Sequence, residues 1–323
     1  MTKVLITGTS GFIGQALCSF LTEKRIGIKA ALRHKQDTYP YEFSVVEDIT
    51  KETEWEKALK GVEMVVHLAA QAHGVKRGHY SKQQQDAFAL FNINVTGTKA
   101  LVQAACNAEV KHFVYLSSIK VNGETTHSKP FVEKDVPHPE DEYGQSKLQA
   151  EEAIKSYCTG SKMSYTILRS PLVYGPKVKG NFLDLLRLSA SKIPLPFAAI
   201  NNKRSLIYIE NLLDIIYLSL MHPKARNETF LLCDGQDLSI QELVTQIRKA
   251  MKLSSHLWYC PLAMLEFIFK VLKREQAFLR LSSSLQVDNQ KLRSYVGWQP
   301  RFSVEQGLEK TIQWFLSEKK QYL

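Results

Sequence analysis

Short apolar runs ending in glycine or other small residues recur through the first half of the chain. "KVLITG" (Lys3 to Gly8), "MVVHLAA" (Met64 to Ala70) and "HFVYLSS" (His112 to Ser118) share this form, and each reads as a strand buried in a parallel sheet. Between them, "FIGQALCSFLTEK" and "NVTGTKALVQAACNAEV" bring apolar residues back every three or four positions, the period of a helix with one covered face. Strands and helices in this alternation predict the α/β class, a doubly wound parallel sheet of Rossmann-like architecture.

Beyond about Pro171 the pattern loosens. "YGPKVKGNF", "KIPLPF" and "AINNKRS" are rich in proline, glycine and asparagine and read as loops of a smaller domain. "SLIYIENLLDIIYLSLM" is apolar enough to return to the sheet. The expected division is a dinucleotide-binding domain over 1–170, rejoined by 205–235, and a smaller, mostly C-terminal α/β substrate domain from 171–204 and 236–323. "CPLAMLEFIFKVLK" (Cys260 to Lys273) is interrupted by Glu266 and Lys270 and is much shorter than the roughly 20 residues that cross a bilayer. Pro261 opens a helix whose Leu262, Leu265, Phe269 and Leu272 share one face. Packing onto the protein is the expectation; contact with a membrane surface, with Lys270, Lys273 and Arg274 near lipid phosphates, is the alternative.

An apolar content of 44% in 323 residues suffices for one large unit or two closely packed domains. The five cysteines (Cys18, Cys106, Cys158, Cys233, Cys260) are scattered and never spaced as CxxC, so neither a disulfide framework nor a metal site is expected. "MTKVLITG" enters a strand pattern without a charged-then-apolar leader, which fits a cytoplasmic location. The net charge of +10 is spread along the chain with no arginine-rich arm or RNP-like aromatic pattern. Nucleic acid is therefore not an expected partner, and a small polyanion remains one.

The candidate chemistry begins at "TGTSGFIG", where Gly8, Gly11 and Gly14 fall three apart between a strand and a helix. There Gly8 permits the tight turn, Gly11 lets the backbone approach a pyrophosphate, and Gly14 lets the helix pack close to the sheet. Further along come "VVEDIT" with Asp48, "HLAA" at His67 to Ala70, Asn94 in "NVTGT", the pair Ser117–Ser118, "YGQSK" with Tyr143 and Lys147, and "LRSPLVYGP". In this order and with a GxxGxxG loop, the chain resembles the extended short-chain dehydrogenase/reductase, or NAD-dependent epimerase/dehydratase, family. "SSIKVNGE", "YGPKVKGNF" and "NNKRSLIYIENL" look like its UDP-glucose 4-epimerase-like branch, which includes bacterial enzymes of surface-polysaccharide sugars.

The resemblance implies an NAD or NADP site built from Gly8, Ser10, Gly11, Phe12, Ile13, Asp48, Ile49, Leu68, Ala69, Ala70, Asn94, Ser117, Tyr143 and Lys147, and a catalytic set of Tyr143, Lys147 and Ser118. Tyr143 and Lys147 stand four apart on one face of a helix. Free tyrosine titrates near about 10; an adjacent ammonium is expected to lower that value, so that Tyr143 exchanges a proton with a sugar hydroxyl. Ser118, five before Gly123, is the expected hydrogen-bond partner of the reacting oxygen.

Arg33, in "ALRHK", ends the second strand where an acidic residue would accept both ribose hydroxyls of NAD. A guanidinium pairs with phosphate instead, and His34 and Lys35 add positive potential. NADP(H) is thus expected to bind at least as well as NAD(H). The resemblance further implies a UDP-sugar partner, with Asn181, Arg204 and Arg280 as candidate substrate contacts and the basic loop "HLAAQAHGVKRGHYS" beside the nicotinamide as a candidate for substrate selection. Asn122 replaces the family's tyrosine before Gly123. A homodimer is a compatible assembly. The activities left open are a UDP-sugar 4-epimerase, a 4-keto-6-deoxy-sugar reductase using NADPH, and a silent NADP(H)-sensing protein. A dehydratase is disfavoured, because the acidic pair that such relatives carry just after a Thr in the serine-strand segment is absent from "SSIKV".

Overall fold

The computed structural model describes residues 2–71, 88, 90–191 and 193–318. Most of the basic loop singled out above, residues 72–81, lies outside them. Seven parallel strands form one sheet in the order β3-β2-β1-β4-β5-β6-β9: β1 Lys3–Thr7, β2 Gly27–Leu32, β3 Glu42–Val45, β4 Met64–His67, β5 His112–Ser118, β6 Ser164–Ser170 and β9 Glu228–Leu231. Two short strands, β7 Leu172–Tyr174 and β8 Leu206–Tyr208, pair in parallel as a separate sheet. The segment starting at Ser205 therefore returns to the main sheet only through β9, beside β6.

Strand periodicity sorts the core into two layers. Val4 and Ile6 of β1 pack on one side with Val66, Val114, Leu116 and Leu168. Leu5 packs on the other with Val65, Phe113, Tyr115 and Ile167. The first layer is covered by α1 (Phe12–Glu23), through Leu17 and Leu21, and by the helix Ile209–Met221, through Leu212 and Ile216. The second is covered by the helix Thr98–Asn107 and the longer helix Glu142–Cys158, through Leu101, Ala105, Ala150 and Ile154. With both faces closed, the carboxyl ends of β1, β4 and β5 form an edge where the strand order reverses, the usual crevice for a ligand in such sheets.

The helix after Pro261, Leu262–Val271, departs from expectation. Leu265 is buried and Phe269 half-buried against Leu195, Phe197, Val244 and Phe278, but Leu262 and Leu272 of the expected packing face are exposed. Two anchors hold the helix to the protein, and the rest of its apolar surface stays outside. Among the described residues no helix is long and apolar enough to cross a membrane.

Candidate active site

The glycine loop closes the end of β1. Gly8 has φ +73°, and a Cβ there would stand 2.8 Å from the Ala69 nitrogen. At Gly14 a Cβ would fall 2.2 Å from the Gly8 carbonyl oxygen, so α1 can sit this close only without a side chain. Gly11 forms the N-cap of α1 with no side-chain cap, which leaves first-turn N–H groups directed at whatever lies before the helix. Such a cradle fits a dinucleotide pyrophosphate. Ser10 and Phe12 also line a cavity of about 530 Å³ with Gln15, Tyr39, Tyr41 and Lys177.

A buried chain of polar contacts starts at Thr7. Its hydroxyl lies 2.6 Å from His67 Nδ1 and accepts the N–H groups of Leu68 and Ala69. His67 Nε2 meets Thr98 Oγ1 at 3.0 Å. Burial, with the Lys147 charge nearby, pushes this imidazole down to about 3, so His67 is neutral and structural. It stacks on Tyr115 at 5.6 Å between ring centroids. Lys147 Nζ donates to Tyr115 Oη at 3.1 Å and to the Leu116 carbonyl at 2.8 Å.

The phenol that Lys147 bonds is therefore Tyr115. From Tyr143 its ammonium is 6.0 Å away, measured to the ring centroid. Tyr143 is half-buried, and burial, reinforced by the Asp141 carboxylate, raises its pKa to about 12. This reverses the lowering expected from sequence. The reason is that Lys147 is itself buried, which drags its pKa down to about 7 against the pull of Glu151 and weakens the charge it offers Tyr143 at neutral pH.

Asn94 ties the loop after β4 to the helix carrying Tyr143. It sits in a π-helical turn, Phe91–Gly97, a wider winding common at functional sites. Its side chain accepts from Gln71 N and donates to Gln71 O and to Ser146 Oγ, each within 2.9 Å. Ser146 Oγ in turn donates to the Tyr143 carbonyl. Ile49 is buried in the layer beneath.

Of the serine pair, Ser117 points inward and donates to Glu151 Oε1 at 2.5 Å. Glu151, wholly buried, is clamped by Arg169 Nη2 at 2.7 Å and Nε at 3.0 Å. Arg169 Nη1 reaches Asn122 Oδ1 at 2.9 Å. The departure at Asn122 is thus turned into the protein, where it completes an ionic network. Ser118 is half-buried at the end of β5 and accepts the Lys120 N–H. The Lys120 ammonium pairs with Glu124 and Asp141, and Asp141 caps the helix Glu142–Cys158 through Gly144 N. The Ser118 turn and the start of the Tyr143 helix are thereby fastened together.

The other candidates lie further out. Arg33 and Asp48 are both exposed and form an ion pair, Nε to Oδ1 3.2 Å; Ala70 is also exposed. Arg204 is half-buried and donates to the Ser283 carbonyl; burial lowers its pKa and the nearby Glu124 carboxylate opposes that, which sets it near the Ser118 turn. Asn181 is exposed as the first residue of the helix Asn181–Ala190. Arg280 is exposed on the helix Glu275–Ser282, and no contact links it to Tyr143 among the described residues. Sequence reasoning missed Tyr115, Ser146, Glu151 and Arg169. The signal for Glu151 was present: it continues the four-residue spacing of Tyr143 and Lys147. No group of three or more His, Cys, Asp or Glu among the described residues is arranged to hold a metal.

Comparison with known proteins places the chain among sequences and folds of one kind. The chain is 39% identical to a UDP-glucose 4-epimerase of Vibrio cholerae over 97% of its own length and 95% of the relative's. It is 28% identical to an N-acetyl-α-D-glucosaminyl-diphospho-ditrans,octacis-undecaprenol 4-epimerase of Escherichia coli O157:H7, covering 98% and 97% of the two chains. In fold it resembles the UDP-glucose 4-epimerase of Thermotoga maritima solved with UDP-glucose, at a TM-score of 0.78 and 21% identity, over 98% of this chain and 100% of that one. The model of the NAD dependent epimerase/dehydratase family matches residues 4–233, and with the glycine cradle, the Tyr143–Lys147 helix and the serine pair at one sheet edge, the chain belongs to that family.

Proposed function

We propose that this chain is a nucleotide-sugar 4-epimerase, acting at C4 of a UDP-hexose or UDP-N-acetylhexosamine with NAD bound at the glycine loop. The observation that carries the reading is that the Tyr143–Lys147 helix is fastened to the carboxyl end of β5, through Lys147 on the Leu116 carbonyl and Asp141 on Lys120 beside Ser118, while the Gly8 turn lies against Ala69 after β4. Full-length similarity to proteins named as 4-epimerases supports it. So does Lys120, a cation engaged by Glu124 and Asp141 where a dehydratase needs an acid to drive elimination. Segments 171–204 and 236–323 are the proposed sugar-nucleotide domain, with Arg204 nearest the serine turn.

When bound, the oxidised nicotinamide supplies a hydride acceptor and a positive charge. Tyr143 Oη takes the proton of the C4 hydroxyl and later returns one to the C4 oxygen. The Ser118 hydroxyl holds that oxygen in place. Lys147, fixed by Tyr115 and the Leu116 carbonyl, biases Tyr143 toward the phenolate whenever it carries its own proton. The reductase reading drew on Arg33 and NADPH; the Arg33–Asp48 pair weighs against it, because a carboxylate already occupies the guanidinium and repels a 2′-phosphate.

Incubation with UDP-glucose and with UDP-N-acetylglucosamine, with and without NADPH, tests the reading. The expected result is conversion to the 4-epimer with no net change in reduced-cofactor absorbance, slowed about 10²–10⁴-fold in Tyr143→Phe. Consumption of NADPH with a 4-keto sugar, and no interconversion, would overturn it.

A further inference from the structure

We infer that the outer face of the helix Leu262–Val271 is a docking surface for an anionic lipid bilayer. The inward side of this helix is accounted for by Leu265 and Phe269. Opposite them, Met264, Phe267 and Val271 follow one another at spacings of three and four, so they form a second apolar stripe aimed away from the protein. Phe267 is 67% exposed and Val271 65%. An amphipathic surface helix would carry polar residues there. Tyr259, 70% exposed, leads into the stripe, and Leu272, 61% exposed at the end of the helix, adds apolar surface beside it.

Charge selects the occupant. Lys270, Lys273 and Arg274 are exposed along and just beyond the end of the stripe, and over residues 258–280 four cations face two anions, Glu266 and Glu275. A basic rim around an apolar stripe matches the phosphates over the acyl boundary of a membrane. Tyr259 and the half-exposed Trp258 have the amphipathic rings favoured at that depth. A second copy fits less well, since isologous contact through this stripe brings two basic clusters together. The helix has 10 residues, about 15 Å of rise, so it lies along the surface rather than through it. The inference concerns where the protein sits and is independent of the sugar it turns over.

Flotation with vesicles tests it, using equal parts phosphatidylglycerol and phosphatidylcholine against phosphatidylcholine alone. The full chain is expected to float with the anionic vesicles and to be released by high salt. Phe267→Ser with Val271→Ser is expected to lower partitioning about tenfold or more, with turnover of soluble UDP-glucose unchanged. Lys270→Glu with Lys273→Glu, which alters only exposed positions, is expected to abolish the preference for anionic vesicles. Recovery of the unmodified chain in solution at every lipid composition refutes the inference. So does a dimer in light scattering that Phe267→Ser dissociates, combined with absence of flotation, because the stripe is then a self-contact.

Discussion

Replacing Glu151 by glutamine is the sharpest probe of how the site is held. The carboxylate is wholly buried and accepts from Ser117 and, at three distances between 2.7 and 3.2 Å, from Arg169. Glutamine keeps the shape but presents an NH₂ group to a guanidinium that is itself 3% exposed. Breaking one side of a buried ion pair costs about 3–5 kcal/mol, because the surviving charge has no counter-ion and little water. One oxygen acceptor survives in glutamine, so the low end, about 3 kcal/mol, is the working figure. For 323 residues the unfolding entropy near the midpoint is about 0.7 kcal/mol/K, which converts the loss into a Tm lower by about 4 °C. Differential scanning calorimetry at neutral pH reads this directly. Glu151→Leu combined with Arg169→Met removes both charges and is expected to cost less than the two single changes together. A Glu151→Gln protein melting within about 1 °C of the parent would refute the reasoning, since Arg169 would then have to find compensation the structure does not provide.

Other consequences concern protons and the cofactor. Lys147 has a folded pKa near 7 against an ordinary 10.5; between those values the unfolded chain binds more protons, so stability contributed by this group rises with pH from about 7 and is lost as pH falls through 7. Denaturant unfolding at pH 6 to 9 (roughly the range that spans the shift) should therefore show a steeper rise in the parent than in Lys147→Met, and parallel curves would contradict the assignment. Asp141 raises the Tyr143 pKa, so Asp141→Asn, which retains a helix cap, should bring phenolate absorbance at lower pH in a difference titration against the same variant carrying Tyr143→Phe; an unchanged midpoint would count against it. Because Asp48 neutralises Arg33, Asp48→Asn should raise the ratio of NADP⁺ to NAD⁺ affinity and Arg33→Ala lower it, each by about threefold to tenfold in equilibrium titration. Equal ratios in all three proteins would remove Arg33 from cofactor selection.

Much of the fold was legible because parallel strands buried on both faces leave uninterrupted apolar runs. β5 matches its expected span, His112 to Ser118, while β1 and β4 stop short of theirs at Thr7 and His67. The glycine loop was legible for a similar reason: a 2.2 Å approach at Gly14 tolerates one residue type only. What escaped was set by contacts distant in sequence. Asn122 and Arg169 are 47 residues apart, and although Asn122 stood out as a departure before Gly123, nothing local marks Arg169 as its partner. The helix Leu262–Val271 was legible only in part: Leu265 and Phe269 of the expected face do meet the protein, but a period along that face does not show that it ends in exposed Leu262 and Leu272 or that Met264, Phe267 and Val271 leave a second apolar face outside.

The direction of the Tyr143 shift follows from the same distant contacts. Spacing places an ammonium one turn from a phenol, yet the energy between them depends on whether the ammonium keeps its proton once buried. Lys147 is 2% exposed and is supported by a phenol oxygen and a carbonyl rather than by a paired carboxylate, while the nearest buried carboxylate, Glu151, is already committed to Arg169. Neutral Lys147 with neutral Tyr143 and charged Lys147 with ionised Tyr143 hold the same number of protons, so pH does not choose between them; the proton affinities of the two groups in their buried setting do. Glu151 favours the second form through Lys147, and Asp141 favours the first through Tyr143. A positive charge that stands closer to Tyr143 than to Lys147 would move that balance toward the phenolate, and on the proposed function this is how a bound nicotinamide would favour the base.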